Sequence, residues 1–250
     1  MYPYDLIFDL GLYELLVAGG IFCAMMMFRH LSEAREIPVR LHNFILADAV
    51  ITVVGGYFCA VLMQAFYDWR ATGLFKLTVN TGATFLGGFL GGALIFLCVY
   101  FIGVRFILDK NEVGGRFSEI ADIIAVCLPL AHGFGRLGCL MAGCCHGAPA
   151  EWGLYHINLG MKVVPVQLFE AIFLFALTAL LYFVTKKYRG YSFALYMELY
   201  GVWRFAAEFM RADDRGETIV DFFSPSQLVS VLMILAGAVI IIIRQRRRKI

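Results

Sequence analysis

An apolar stretch late in the chain carries Tyr200, Arg204, Glu208 and Arg211. On a helix these positions share one face, so phenol, guanidinium, carboxylate and guanidinium line up as a polar stripe. A charge at the centre of a bilayer costs about 2.5 to 3.5 kcal/mol on insertion scales, so such groups turn inward and find partners. A structural Arg204–Glu208 pair explains two of the four. The tyrosine and the second arginine point instead to a polar cavity that attracts anions. A second stretch runs His132-Gly133-Phe134-Gly135-Arg136-Leu137-Gly138-Cys139 and continues to Gly143-Cys144-Cys145-His146-Gly147. Its glycines permit close backbone approach or break the helix and expose amides. Packing explains those glycines but not Arg136, whose planar fork suits a phosphate. Two arginines from separate apolar segments therefore describe an anion site in a lipid-lined cavity.

The cysteines point to less. The total is odd at seven, mostly within apolar runs, and does not form a disulfide framework. Cys23, Cys59 and Cys98 read as small core residues. Cys139, Cys144, Cys145 and His146 admit a zinc reading, but adjacent cysteines chelate one ion poorly and no second C-x-x-C follows, so no metal site is expected. A redox pair of Cys144 and Cys145, or a thiol activated by Arg136, are alternatives to simple filling. Thr84 to Gly92 holds the pairs Gly87-Gly88 and Gly91-Gly92, a packing motif that also lets a lipid chain approach backbone. Tyr13 and Glu14 sit where a tyrosine is ordinarily an interfacial anchor. His30 and His42 fall in a loop where no catalytic role is expected. His132, His146, Tyr13 and Glu208 are the candidate proton acceptors, and spacing does not choose among them.

The elements that must position these groups follow from composition. Hydrophobic residues make up 61% and charged residues 16%, with a mean hydropathy of +0.77. A soluble domain of this length lacks the polar cover to hide that much apolar surface. The apolar runs have the roughly 20-residue length of spanning helices and lack the alternation of barrel strands. The expected fold is an all-α polytopic transmembrane bundle of about seven helices, at 10–28, 45–66, 82–106, 119–142, 166–185, 191–210 and 226–243, in a single domain over 1–250. Fourteen Lys and Arg residues fall on one side of these spans and five on the other. The richer side is expected to be cytoplasmic, which puts the N-terminus outside and the basic C-terminus inside. The first residues have no positive n-region and no cleavage site follows, so the first span is expected to stay. A net charge of +2 with scattered basic residues argues against nucleic acid.

Taken together these segments resemble the prolipoprotein diacylglyceryl transferases. The resemblance covers nearly the whole chain and rests on several short motifs in order. These are Leu86-Gly87-Gly88-Phe89-Leu90-Gly91, Asp122, Gly135-Arg136-Leu137-Gly138 leading into Gly143 and Gly147, and Pro165-Val166-Gln167-Leu168-Phe169-Glu170. Then come Tyr200-Gly201, Arg204, Glu208-Phe209, Arg211, Asp213-Asp214-Arg215-Gly216, and Ser226-Gln227. The resemblance implies transfer of the diacylglyceryl group of phosphatidylglycerol onto the lipobox cysteine thiol of a preprolipoprotein, releasing glycerol 1-phosphate. It implies a multi-pass protein of a bacterial cytoplasmic membrane with no cofactor. Carried over residue by residue, it marks Tyr13, Arg136, Tyr200, Arg204 and Glu208 as catalytic. Gly87, Gly88, Gly138, Cys139, Gly147, Gln167, Glu170 and Arg211 become substrate-binding.

Departures from the family pattern thin out the acid–base groups. Leu86 stands where many members have a histidine before the glycine pair, and Cys139 where an asparagine is common. Val164 replaces a histidine, Phe169 a tyrosine, and Gly55-Gly56-Tyr57 lacks a nearby arginine. The lipid donor is thus better supported than the acceptor. The alternatives are a divergent member with another acceptor, or a non-enzymatic lipid-binding protein or transporter; the repeated halves typical of many transporters are not found.

Overall fold

The computed structural model describes residues 5–7, 10–78, 81–108, 113, 115–211 and 223–248. The Asp213-Asp214-Arg215-Gly216 motif lies outside them. Seven long helices run through the described residues: α1 (Leu12–Ala34), α2 (Val39–Thr72), α3 (Phe85–Phe106), α4 (Phe117–Ala142), α5 (Val166–Lys187), α6 (Ser192–Ala207) and α7 (Pro225–Arg248). Each expected span falls on one of them. Six are long and apolar enough to cross a membrane. The exception is α6, whose 16 residues are carried on by a 3₁₀ turn over Glu208–Met210. The protein is an all-α polytopic membrane protein with two small hairpins added. One pairs β1 (Asp5–Ile7) with β2 (Leu10–Gly11); the other pairs β3 (Pro149–His156) with β4 (Met161–Val163), both antiparallel. The second hairpin lies in the connection between the spans expected at 119–142 and 166–185. Gly160 turns it, at a φ of 65°.

Contacts divide the chain into two units, 32–116 and the remainder. In the first, α2 and α3 lie antiparallel along a glycine seam. A Cβ on Gly56 would stand 3.2 Å from the Gly88 carbonyl oxygen, and one on Gly87 would stand 2.7 Å from Met63 Cβ. The amide and hydroxyl of Thr84 both donate to the Ala60 carbonyl, at 3.1 and 3.2 Å. Gly87 and Gly88 thus serve close helix packing in this unit, where dispersion replaces the missing hydrophobic drive.

In the other unit α4 and α5 are the central helices. Of their apolar windows 39% is covered, against 22% for α1 and 17% for α7, and α6 packs on α4, α5 and α7. Large apolar side chains such as Phe22, Leu128, Phe183 and Leu232 point outward, as a hydrocarbon solvent allows. Two polar devices fix the helix starts. Asp122 of α4, buried, accepts hydrogen bonds from the amides of Gly190, Ser192 (3.0 Å) and Phe193 (3.4 Å). It satisfies orphan donors at the start of α6 from a distance. At the start of α7, the Gln227 amide donates to Ser224 Oγ at 3.2 Å and the Ser224 amide to Gln227 Oε1 at 3.0 Å. This is a capping box, with Pro225 at the first helical position.

Candidate functional site

Glu170, one turn into α5, has no solvent exposure. A buried carboxylate survives only with partners, and two neighbouring helices supply them. From α4 come His132 and Arg136, one turn apart on the same face. Arg136 Nε lies 2.9 Å from Glu170 Oε2, and His132 Nε2 lies 3.9 Å from Oε1. From α6, the Tyr200 hydroxyl donates to Oε1 at 3.1 Å. Arg136 Nε–H itself points at His132 Nε2, 3.2 Å away. That nitrogen must then carry a lone pair, which makes His132 a neutral imidazole with its proton on Nδ1. The His132 ring meets Tyr200 edge-on at 5.5 Å, and Tyr196 stacks on Tyr200 at 5.7 Å.

A second ionic cluster lies where α6 gives way to its 3₁₀ turn. Arg204 Nη2 is 2.9 Å from Glu208 Oε2 and donates to Ser226 Oγ at 2.8 Å. Ser224 Oγ donates to Glu208 Oε1 at 2.8 Å. The charges of Arg136 and Arg204 both act on Glu170 and on His132. The stripe along α6 nevertheless divides. Tyr200 serves Glu170, Arg204 and Glu208 join the start of α7, and Arg211 lies beyond the helix.

Arg211 belongs to a third region, the loop that leaves α4. Its backbone bridges Gly147, and its guanidinium charge acts on the Cys145 thiol. The loop turns through two left-handed residues, Gly143 at a φ of 74° and Cys145 at 60°. Its carbonyls are held from outside. His156 Nε2 donates to the Gly143 oxygen at 2.6 Å, and Gln167 Nε2 to the Cys144 oxygen at 2.5 Å. Gly147 donates its amide to the Val164 oxygen at 2.9 Å. A Cβ there would stand 2.5 Å from the Met210 carbonyl oxygen and 2.8 Å from Val164 Cβ, so only glycine fits. Tyr13 packs over Gly138, where a Cβ would stand 3.0 Å from the ring. The sulfurs of Cys139, Cys144 and Cys145 lie within 4.8 Å of one another. Hydrogen bonds from Cys139 and Cys144, and then the Arg211 guanidinium, hold the Cys145 thiol well below the ordinary thiol range.

Tyr13, Arg136, Gly138, Cys139, Gly147, Gln167, Glu170, Tyr200, Arg204, Glu208 and Arg211 all lie in the unit that contains these three regions; Gly87 and Gly88 belong to the α2–α3 unit. Sequence reasoning places Glu170 among the substrate contacts and misses that it is the ionic hub. It also gives Ser224 no part and Ser226 no role. The Ser-x-x-Gln pattern at 224–227, with Pro225 inside it, is the signal that locates Ser224 at a helix start and so beside whatever that start faces.

Comparison with known proteins gives the family. The family described as prolipoprotein diacylglyceryl transferase matches residues 4–243. A phosphatidylglycerol–prolipoprotein diacylglyceryl transferase 2 of Clostridium perfringens is 30% identical over 246 residues, covering 92% of this chain and 90% of the relative. The phosphatidylglycerol–prolipoprotein diacylglyceryl transferase of a Dehalococcoides mccartyi strain is 30% identical over 227 residues, covering 83% and 80%. That of Clostridioides difficile is 26% identical over 250 residues, covering 96% and 93%. With a match that runs through every helix contributing to these clusters, the chain belongs to the prolipoprotein diacylglyceryl transferase family.

Proposed function

We propose that this protein moves the diacylglyceryl group of phosphatidylglycerol onto the thiol of a lipobox cysteine in a preprolipoprotein, releasing glycerol 1-phosphate. The single observation that carries the reading is the state of Arg136. Its side chain is only 12% exposed. Glu170 and His132 both engage it through Nε. Among the described residues no hydrogen bond occupies its Nη groups. A buried guanidinium with an uncommitted fork is the shape a phosphate oxygen pair requires.

In the reaction a C–S bond forms between the acceptor sulfur and the glyceryl carbon that bears the phosphate ester, while that C–O bond breaks. The phosphate leaves with one more negative charge than it held in the lipid. Arg136, with Arg204 across the same interior, stabilises the charge where it develops; a preorganised donor of this kind is worth about 2.7 to 4 kcal/mol. Glu170 and Tyr200 hold Arg136 and His132 in place, and Glu208 with Ser226 does the same for Arg204. His132, neutral with a lone pair on Nε2, is the group to take the thiol proton. It supplies the base that Leu86 cannot. Tyr13, Gly138, Cys139, Gly147, Gln167 and Arg211 form the rim the acceptor peptide meets.

The reaction needs no redox or metal chemistry, and 1–250 acts as one catalytic domain. The charge asymmetry of the connections orients it N-terminus out in a bacterial cytoplasmic membrane, with the donor lipid and acceptor on the outer side. Leu86 and Val164, where other members carry histidines, favour one second reading, a relative that uses the same donor and a different acceptor. Incubating purified protein with labelled phosphatidylglycerol and a lipobox peptide separates the two. A thioether-linked diacylglyceryl peptide is expected. Release of glycerol phosphate without that product points to another acceptor, and unchanged labelled phosphatidylglycerol counts against lipid transfer altogether.

A further inference from the structure

The loop after α4 contains more organisation than a substrate rim needs. Three thiols that fit no zinc spacing in the sequence come together, their sulfurs within 4.8 Å of one another. Cys139 lies on the last turns of α4; Cys144 and Cys145 lie on the loop. The grouping is imposed by backbone geometry. Cys145 adopts a φ of 60°, a conformation L side chains other than Asn and Asp rarely take. Gly143 beside it is also left-handed. These turns are locked by the Cys144 amide on the Cys139 carbonyl (3.1 Å), by Gln167 on the Cys144 carbonyl and by His156 on the Gly143 carbonyl. Strain of order 1–3 kcal/mol at one residue persists only where surrounding structure enforces it, and it concentrates at sites that do something.

We infer that Cys139, Cys144 and Cys145 form a binding site for a monovalent thiophilic metal ion, of the copper(I) class, held by three thiolate sulfurs. Three observations support this. The separations are close to what ligation needs: metal–sulfur bonds of about 2.3 Å, the zinc–thiolate length, put three sulfurs of a trigonal plane about 4 Å apart, within reach of small side-chain rotations. The donor set is soft, and all three donors are sulfur. The charge is matched, because three thiolates around one positive ion leave two negative charges, and two guanidiniums act on the triad. The Arg211 charge acts on Cys145 and the Arg136 charge on Cys139. Zinc needs a fourth donor. Among the described residues no histidine or carboxylate joins the cluster; His146 and His156 turn one ring nitrogen each to the carbonyls of Gly147 and Gly143. Binding releases the thiol protons and leaves the oxidation state of the ion unchanged. The Tyr13 ring lies within electrostatic reach of all three thiols, so the ion would sit at the lip of the proposed lipid site. The inference does not depend on the transferase chemistry.

The test uses the full chain in detergent micelles, reduced with a phosphine and kept free of oxygen. Copper(I) is supplied as its complex with a colorimetric chelator, and transfer to the protein is read from loss of chelator colour and growth of an ultraviolet sulfur-to-copper charge-transfer band. One ion per chain is expected, with loss of chelator-competing binding in each of Cys139→Ser, Cys144→Ser and Cys145→Ser. These near-isosteric changes leave Cys23, Cys59, Cys98 and Cys127 as an internal control. Equal binding by the triple serine variant overturns the inference in favour of adventitious thiols. Binding that survives any one of the single changes also overturns it, because two thiols would then suffice. So does isolation of the protein with two of the three joined as a disulfide and no copper capture after reduction, which assigns the cluster to redox chemistry instead.

Discussion

Two carboxylates of the same helical unit are fully buried, and the protein treats them differently. Asp122 is answered by backbone. Three amides at the start of α6 converge on it, and amides of a rigid turn have nowhere else to go. Glu170 is answered by side chains: a guanidinium from α4, a phenol from α6 and an imidazole within ion-pair range. Every one of these partners can rotate, change protonation or be drawn off by a ligand. A structural carboxylate is satisfied by groups that cannot leave; a site carboxylate is satisfied by groups whose work lies elsewhere. Burial alone does not distinguish the two. The identity of the partners does.

The largest effect expected from this contrast belongs to Glu170→Ala. Removing one partner of a buried ion pair leaves an uncompensated charge and costs about 3 to 5 kcal/mol. Arg136 and His132 also lose the group that orients them, so turnover should disappear as stability falls. Glu170→Gln tests the two roles separately. It keeps the shape and one acceptor for Tyr200 while removing the charge, so much of the thermal stability in detergent should return while activity stays low. Recovery of full activity in Glu170→Gln shows that the carboxylate charge has no part in holding Arg136 ready.

Next come the arginines. Arg136→Ala should lower turnover by about 10² to 10³. Arg136→Lys keeps a charge but not a planar fork, and should recover only a small part of that loss. Arg204→Ala removes its ion pair with Glu208 and its bond to Ser226 together, so a drop in melting temperature is expected beside the loss of activity. Single-turnover measurements on protein still folded by size exclusion are the check. If both alanine variants retain wild-type rates, the phosphate reading of the interior fails.

Gly147→Ala probes the rim. Its new methyl would meet the Met210 carbonyl and Val164, and overpacking of this kind costs about 1 to 3 kcal/mol. The strain enters the contact between the α4 loop and Arg211, so apparent affinity for a lipobox peptide should weaken more than affinity for phosphatidylglycerol. Equal weakening of both would place Gly147 in general packing.

Much of this molecule is legible in its residues alone. The spans follow from length and apolarity because in hydrocarbon a helix must satisfy its own backbone, which leaves few alternatives. Arg136, Tyr200, Arg204 and Glu208 stand out because polar and charged groups are costly in such segments, whatever their partners. Those partners are not legible. Arg204 and Glu208, four apart, read as a local pair, and that pair exists. The tie from Tyr200 and Arg136 to Glu170 crosses between helices, and no spacing rule reaches across helices. The triad of thiols escapes for a related reason. Cys139, Cys144 and Cys145 fit no zinc spacing, and only two left-handed residues in the loop bring them together. The hairpin at 149–163 escapes because β4 has only three residues, and Gly153 and Gly160 read as loop.

The smallest expected change, Asp122→Asn, tests the other half of the contrast. The amide keeps an acceptor oxygen for Ser192 or Gly190 but loses the charge, and charge-assisted bonds are roughly twice as strong as neutral ones. A capping group of this sort is worth about 0.5 to 2 kcal/mol, so the melting temperature should fall modestly and the amides of residues 190–193 should exchange faster. Activity per folded molecule should stay at the wild-type level, because the three amides that bind Asp122 belong to the start of α6 and cannot move toward a substrate. If instead turnover falls further than the folded fraction does, the start of α6 transmits its position to Tyr200 two turns along. The distinction between backbone-answered and side-chain-answered carboxylates would then be one of distance from the chemistry and not of kind.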